Sequence, residues 1–157
     1  MTSPAVQQWP TTGGRYRRSE VSALVGSGEA VWERATAQLL LWKVKTASGF
    51  TVDSTAPVVQ GDHVVVTMRL FGVTVLEPVE VVSVVNEPGR VGFAYRTLPG
   101  HPVSGEEAFI VYRHGDEVHL SVRSLTAAAP RQPWRSLYPL LRLAQLIVRR
   151  RYLRALR

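Results

Sequence analysis

The sequence predicts an α+β fold, a curved antiparallel sheet of seven strands with a long C-terminal helix lying across its dry face. Three observations predict it. One extended segment and one amphipathic stretch fill the first 45 residues; from Gly49 to Thr126 apolar residues recur with period two between regular turn signals; after Pro133 helical spacing returns and persists to the end. Period two marks strands with one buried face, and spacings of three and four mark a helix with an apolar stripe.

The elements follow in order. Arg15 to Gly26 reads as an extended segment closed by glycine. The stretch from Ser27 to Lys45 reads as one helix, with Ser27 as N-cap, Glu29 and Glu33 near its positive pole, Lys43 and Lys45 at its far end, and Trp32, Ala35, Leu39 and Trp42 as its apolar stripe. Strands are expected at Phe50–Ser54, Asp62–Leu70, Val73–Val85, Arg90–Leu98, Glu106–Arg113 and Glu117–Leu125. The turns Phe71-Gly72, Asn86-Glu87-Pro88-Gly89 and His114-Gly115-Asp116 are short enough to pair neighbours antiparallel. Pro78, inside the third of these strands, implies an edge or a bulge. In the last helix Leu137, Leu141, Ala144, Val148, Tyr152 and Ala155 form the stripe, and Pro139 belongs in the first turn or marks a kink.

Composition narrows the functional classes. A chain of 157 residues, 45% hydrophobic and 20% charged, fits one domain, expected over residues 15–157 behind a flexible N-terminus at 1–14. The first residues have neither a basic nor an apolar block, and no apolar run reaches membrane-spanning length, so a cytoplasmic protein is expected. The absence of cysteine excludes disulfides, thiol catalysis and thiolate metal sites. His63, His114 and His119 have no ligand spacing, so no metal site is expected. No phosphate-binding loop, dinucleotide fingerprint or nucleophile elbow is present, and no cofactor is expected.

The element order resembles the helix-grip fold of START and Bet v 1-like proteins. "GFAYRTLPGHPVSGEEAF" (Gly92 to Phe109), the "NEP" turn before it and the closing "RRRYLRAL" resemble an uncharacterised bacterial and plant family, catalogued as a domain of unknown function and grouped with the Bet v 1-like proteins. The likeness runs from about Arg15 to the C-terminus, although the family usually carries glycine where this chain has Arg96. The resemblance implies a sheet wrapped around the last helix and an apolar cavity between them, but no established activity.

Alternation then locates a candidate site. Val91, Phe93, Tyr95 and Thr97 share the inward face. With a seven-residue loop, Pro99 to Gly105, Thr97 falls opposite Glu107 and Tyr95 opposite Phe109, and Glu107 rather than Glu106 points inward; a one-residue change reverses this. A carboxylate at the rim of an apolar cavity is one that desolvation can turn into a proton carrier, and His101 sits at the tip of the same loop. Two carboxylates after a glycine can equally just begin a strand.

Three functions are open at this point. The leading one is binding of a small apolar or amphipathic molecule, with Phe93, Tyr95, Thr97, His101, Glu107, Phe109, Trp42 and Leu141 as contacts. The second is a cofactor-independent enzyme using Glu107 or His101 as acid or base. The third rests on charge. Of the net +7, residues 1–130 contribute −1, while residues 131–157 carry eight arginines and no acid, so Arg149, Arg150 and Arg154 are candidates for weak contact with an anionic membrane. Thin aromatic interleaving argues against nucleic acid.

Overall fold

A computed structural model describes residues 1–11, 13–70 and 72–157. Seven strands form one antiparallel sheet in the order β1-β7-β6-β5-β4-β3-β2. They are β1 (Arg17–Ser27), β2 (Thr51–Val52), β3 (His63–Leu70), β4 (Val73–Glu87), β5 (Arg90–Thr97), β6 (Val103–His114) and β7 (Glu117–Ala128). Between β1 and β2 lie α1 (Glu29–Leu39) and α2 (Lys43–Thr46), and α3 (Trp134–Tyr152) follows β7. The turn expected at Phe71-Gly72 falls partly outside the described residues; Gly72 takes a left-handed φ of 77°.

The expected single helix at 27–45 is two. Trp42, a non-glycine residue at φ 62°, breaks it, and its indole is buried at 1% exposure. Burial of that ring in the core outweighs the local cost of a left-handed backbone. Ser27 closes β1 instead of capping α1, and Gly28 takes the cap position at φ 92°.

Inward residues of the strands meet both helical layers in one core. Val64, Val66, Val79, Val81, Phe93 and Phe109 pack with Leu39, Trp42, Val148, Tyr152 and Leu156. Pro78 lies in an interior strand, opposite Val65, and the bulge comes four residues on, between Val81 and Ser83. A strand residue's nitrogen and carbonyl point the same way; since the Pro78 carbonyl accepts from Leu98 N–H, its missing donor faces the place where β5 gives way to a loop.

The outer face is dry over β6 and β7 too. The N-terminal segment, expected to be loose, lies against it: Thr2 is fully buried, and Arg123 donates to the carbonyls of Thr2, Ser3 and Gln7. Arg90 donates to the carbonyl of Val6, and Arg18 covers the Trp9 ring at 3.7 Å.

In α3, Pro139 lies past the first turn, and the helix ends at Tyr152, so Arg154 and Arg157 belong to a closing turn. Leu156 of that turn, instead of Ala155, completes the core.

The hairpin of β5 and β6 sets what faces the core. Tyr95 pairs with Glu107 and Phe93 with Phe109, a register two residues from the expected one. An even shift preserves the facing, so Glu107 still points inward and Glu106 outward. Gly105 permits this entry into β6. It has φ +149°, and a Cβ there would lie 1.7 Å from the Leu125 carbonyl oxygen. Gly105→Ala is expected to destabilise the fold by about 3 kcal/mol or more, through backbone displacement added to conformational strain. Gly89→Ala, at φ +79° with open space around it, should cost only about 1–2 kcal/mol. Denaturant unfolding of the two variants checks the difference.

Candidate functional site

Between the inner face of the sheet and α3 lies a pocket of about 100 Å³. Met68 and Val75 from the sheet, Phe50, and Leu141, Ala144 and Val148 from α3 make its apolar walls. Lys45, Glu77, Tyr95, His101, Glu107 and Tyr152 are among its polar groups.

Lys45 is the centre of that group. Its Nζ donates to Tyr152 Oη at 2.7 Å, lies 3.6 Å from Glu107 Oε1, and sits 4.5 Å from the centre of the Phe50 ring. The left-handed Trp42 begins the single turn of α2 that carries this lysine beneath the sheet. Glu107 also accepts from the Tyr95 hydroxyl and, at 3.2 Å, from Ser124 Oγ. Burial, with the nearby Glu107 carboxylate adding to it, pushes both tyrosine hydroxyls well above their ordinary range, so both remain protonated donors at neutral pH.

A second pair lies beside the first. His101 Nδ1 accepts from Val103 N–H at 3.1 Å, which leaves the proton of the neutral ring on Nε2, 3.5 Å from Glu77 Oε1. Burial first, and the Lys45 charge second, lower the His101 pKa to about 3. The Glu77 carboxyl moves upward, chiefly through burial and further through Glu107, against the opposing pull of Lys45. Its Oε2 is buried and has no hydrogen-bond partner among the described residues.

Of the contacts expected from sequence, Tyr95, Thr97, His101, Glu107 and Leu141 line the pocket. Thr97 is engaged, its Oγ1 accepting from Gly105 N–H at 3.0 Å. Trp42, Phe93 and Phe109 lie deeper, in an aromatic chain whose ring centres are 4.8 and 5.8 Å apart and which reaches Tyr152 at 5.2 Å. They support the pocket from behind. Arg149 lies at its rim, and Arg150 and Arg154 are exposed away from it.

Sequence reasoning missed Lys45, Glu77 and Tyr152 as site residues. Signals existed for the first two: Glu77 stands in the inward series Val75, Glu77, Val79, Val81, and Lys45 is three residues beyond Trp42. A charged residue in register with a dry stripe is the informative kind of exception. Tyr152 read only as packing, and nothing local showed that its hydroxyl would meet a lysine 107 residues away.

Comparison with known proteins agrees with this architecture. The model of a domain of unknown function, DUF1990, matches residues 2–155. A UPF0548 protein of Deinococcus radiodurans is 37% identical over 128 residues, covering 74% of this chain and 62% of the relative, so the match spans less than two thirds of that protein. The crystal structure of a hypothetical protein from Helicobacter pylori superposes with TM-score 0.68 at 16% identity, covering 99% of this chain and 96% of its own. The Zhui aromatase/cyclase of Streptomyces sp. R1128 gives 0.61 at 17% identity over 90% and 91% of the two chains, and Ara h 8.0201 gives 0.53 at 10% over 87% and 95%. The fold is the helix-grip fold of the Bet v 1-like proteins.

The histidine makes a prediction about pH. Its folded pKa lies below the unfolded value, so the unfolded chain binds the extra proton first, and stability falls as pH drops from about 6.5 toward 3. His101→Gln removes that linkage. The stability advantage of wild type over the variant should shrink by about 1.4 kcal/mol per pH unit below 6.5 and stay level above it, as read from urea unfolding across pH.

Proposed function

The chain belongs to the DUF1990 family, and from that membership, the helix-grip fold and the pocket we propose that it binds a small amphipathic molecule between the sheet and α3. The ligand's apolar body lies along Leu141, Ala144 and Val148, and its polar end, an oxo or hydroxyl group, reaches the group around Lys45, Tyr152 and Glu77. The carrying observation is Glu77 Oε2. A buried carboxyl oxygen without a partner forgoes the hydrogen bond that would offset its desolvation, and a ligand entering the pocket supplies one. An apolar cavity with a few convergent polar groups is the usual form of a small-molecule site.

Organic extraction of the purified protein, followed by a thermal-shift screen against amphipathic carbonyl and hydroxyl compounds, tests this reading. Compounds that stabilise wild type are expected to lose their effect in Ala144→Phe, which fills the pocket, and to bind about tenfold more weakly in Glu77→Gln. An unaltered response in Ala144→Phe would place binding elsewhere and end the proposal.

The same oxygen favours a second reading, cofactor-independent acid–base chemistry. Glu107 and His101 are the candidates from sequence, but Glu107 is engaged by Tyr95, Ser124 and Lys45, and His101 by Val103 N–H. Glu77 is the carboxyl with an open oxygen, and burial raises its pKa above the usual carboxylate value, the direction that favours a proton-carrying role. Deuterium exchange at the carbon next to the carbonyl of a bound ketone is expected to fall at least a hundredfold in Glu77→Gln. A change of less than twofold removes this reading and leaves binding alone.

A further inference from the structure

The outward face of α3 is apolar, and the core does not use it. Leu140, Leu143, Leu146 and Ile147 are 65%, 59%, 55% and 52% exposed, while Val148 and Tyr152 anchor the other side of the helix. At 100° per residue, the four exposed side chains fall within about one third of the helix circumference. Arg135, Arg142 and Arg149, spaced by seven, follow one flank of that face, and Arg150 lies at its C-terminal end. None of the eight arginines in 131–157 forms a salt bridge with a carboxylate among the described residues, whose arginine pairs involve Arg18, Arg96, Arg113 and Arg123. Isolated exposed leucines need no explanation, but a contiguous apolar face rimmed by uncompensated cations marks an interaction surface.

We propose that this face docks on an anionic lipid bilayer, with Leu140, Leu143, Leu146 and Ile147 in the acyl boundary and the arginines at headgroup phosphates. Charge selects this occupant. A second copy laid face to face would bring two arginine rows together with no acid in 131–157 to separate them, whereas an anionic bilayer neutralises the rows and receives the leucines. A polyanion such as nucleic acid would meet the arginines but leave the leucines in water. No helix of the described residues is long and apolar enough to cross a membrane, so the helix lies in the interface instead of spanning it. The apolar face lies on the side of α3 opposite the pocket and shares with it only Arg149, at the rim, so this proposal does not rest on the pocket proposal.

Co-sedimentation of the full chain with vesicles of phosphatidylcholine alone, or mixed with phosphatidylglycerol, at low and physiological salt tests the proposal. Wild type is expected to pellet with the mixed vesicles and far less with the neutral ones. The double variant Leu143→Glu, Ile147→Glu should lose pelleting at either salt, and Arg142→Gln with Arg150→Gln should weaken partitioning by about fivefold per arginine. All four positions leave the core untouched, so an unchanged thermal midpoint verifies folding. Absence of wild-type pelleting would overturn the proposal. So would equal pelleting of the leucine variant, as for a purely electrostatic contact, or a solution dimer that this variant dissolves.

Discussion

A single buried ammonium group fixes how the parts of this molecule meet. Lys45 is 4% exposed, and removing a charge from water costs several kcal/mol unless geometry and hydrogen bonds compensate it. Compensation comes from three separate elements: Glu107 on β6, Tyr152 on α3, and the Phe50 ring just after α2. If the β5–β6 hairpin slipped by one residue, Glu107 would leave the inner face and the ammonium would lose its counter-charge. The hairpin register is therefore held by electrostatics as well as by packing. The same holds for the break at Trp42, without which no single helix turn would deliver Lys45 to that point.

The central strands are covered on both sides, and adjacent residues serve the two sides. Glu106 accepts from the Thr2 amide and hydroxyl on the outer face, while Glu107 holds Lys45 inside. Arg123 is 1% exposed on an outward position of β7, with its guanidinium shared among backbone carbonyls and Glu20. Arginine suits that position because its planar fork of donors can meet several carbonyls at once. The N-terminal segment thus gives the middle of the sheet a second covering layer.

Much of this architecture was legible because it rests on periodicity. The strands that hold Val64, Phe93, Phe109 and Leu120, and the final helix, follow from spacings that survive in any context. What escaped the sequence depended on long-range partners. The break at Trp42 lies inside an uninterrupted helical pattern and arises because the indole packs on Phe93, 51 residues away. The docking of the N-terminus depends on Arg123, which alternation marks as outward and so as wet. The lining of the pocket was half legible: the inward facing of Tyr95 and Glu107 followed from strand alternation, and because the register differs from the expected one by an even number of residues that facing survived. Which carboxyl would be free could not be read at all, because it depends on the partners that Glu107 and His101 find in three dimensions.

The sheet order carries a kinetic consequence. β1 pairs with β7 along nearly its whole length, Arg17 against Thr126 through Ser27 against Glu117, so its strand neighbour among the described residues lies about a hundred residues further along the chain. On a ribosome, β1 is made before the other six strands of the sheet and has no partner until β7, the last of them, has been made. Loop-closure entropy must be overcome before that pairing returns any energy, so the chain belongs among the slow-folding topologies. Until β7 arrives, an unpaired edge carrying Val21, Leu24 and Val25 is open to other nascent chains, and the arginines at its beginning and the bulge between Leu24 and Gly26 are the features that blunt it.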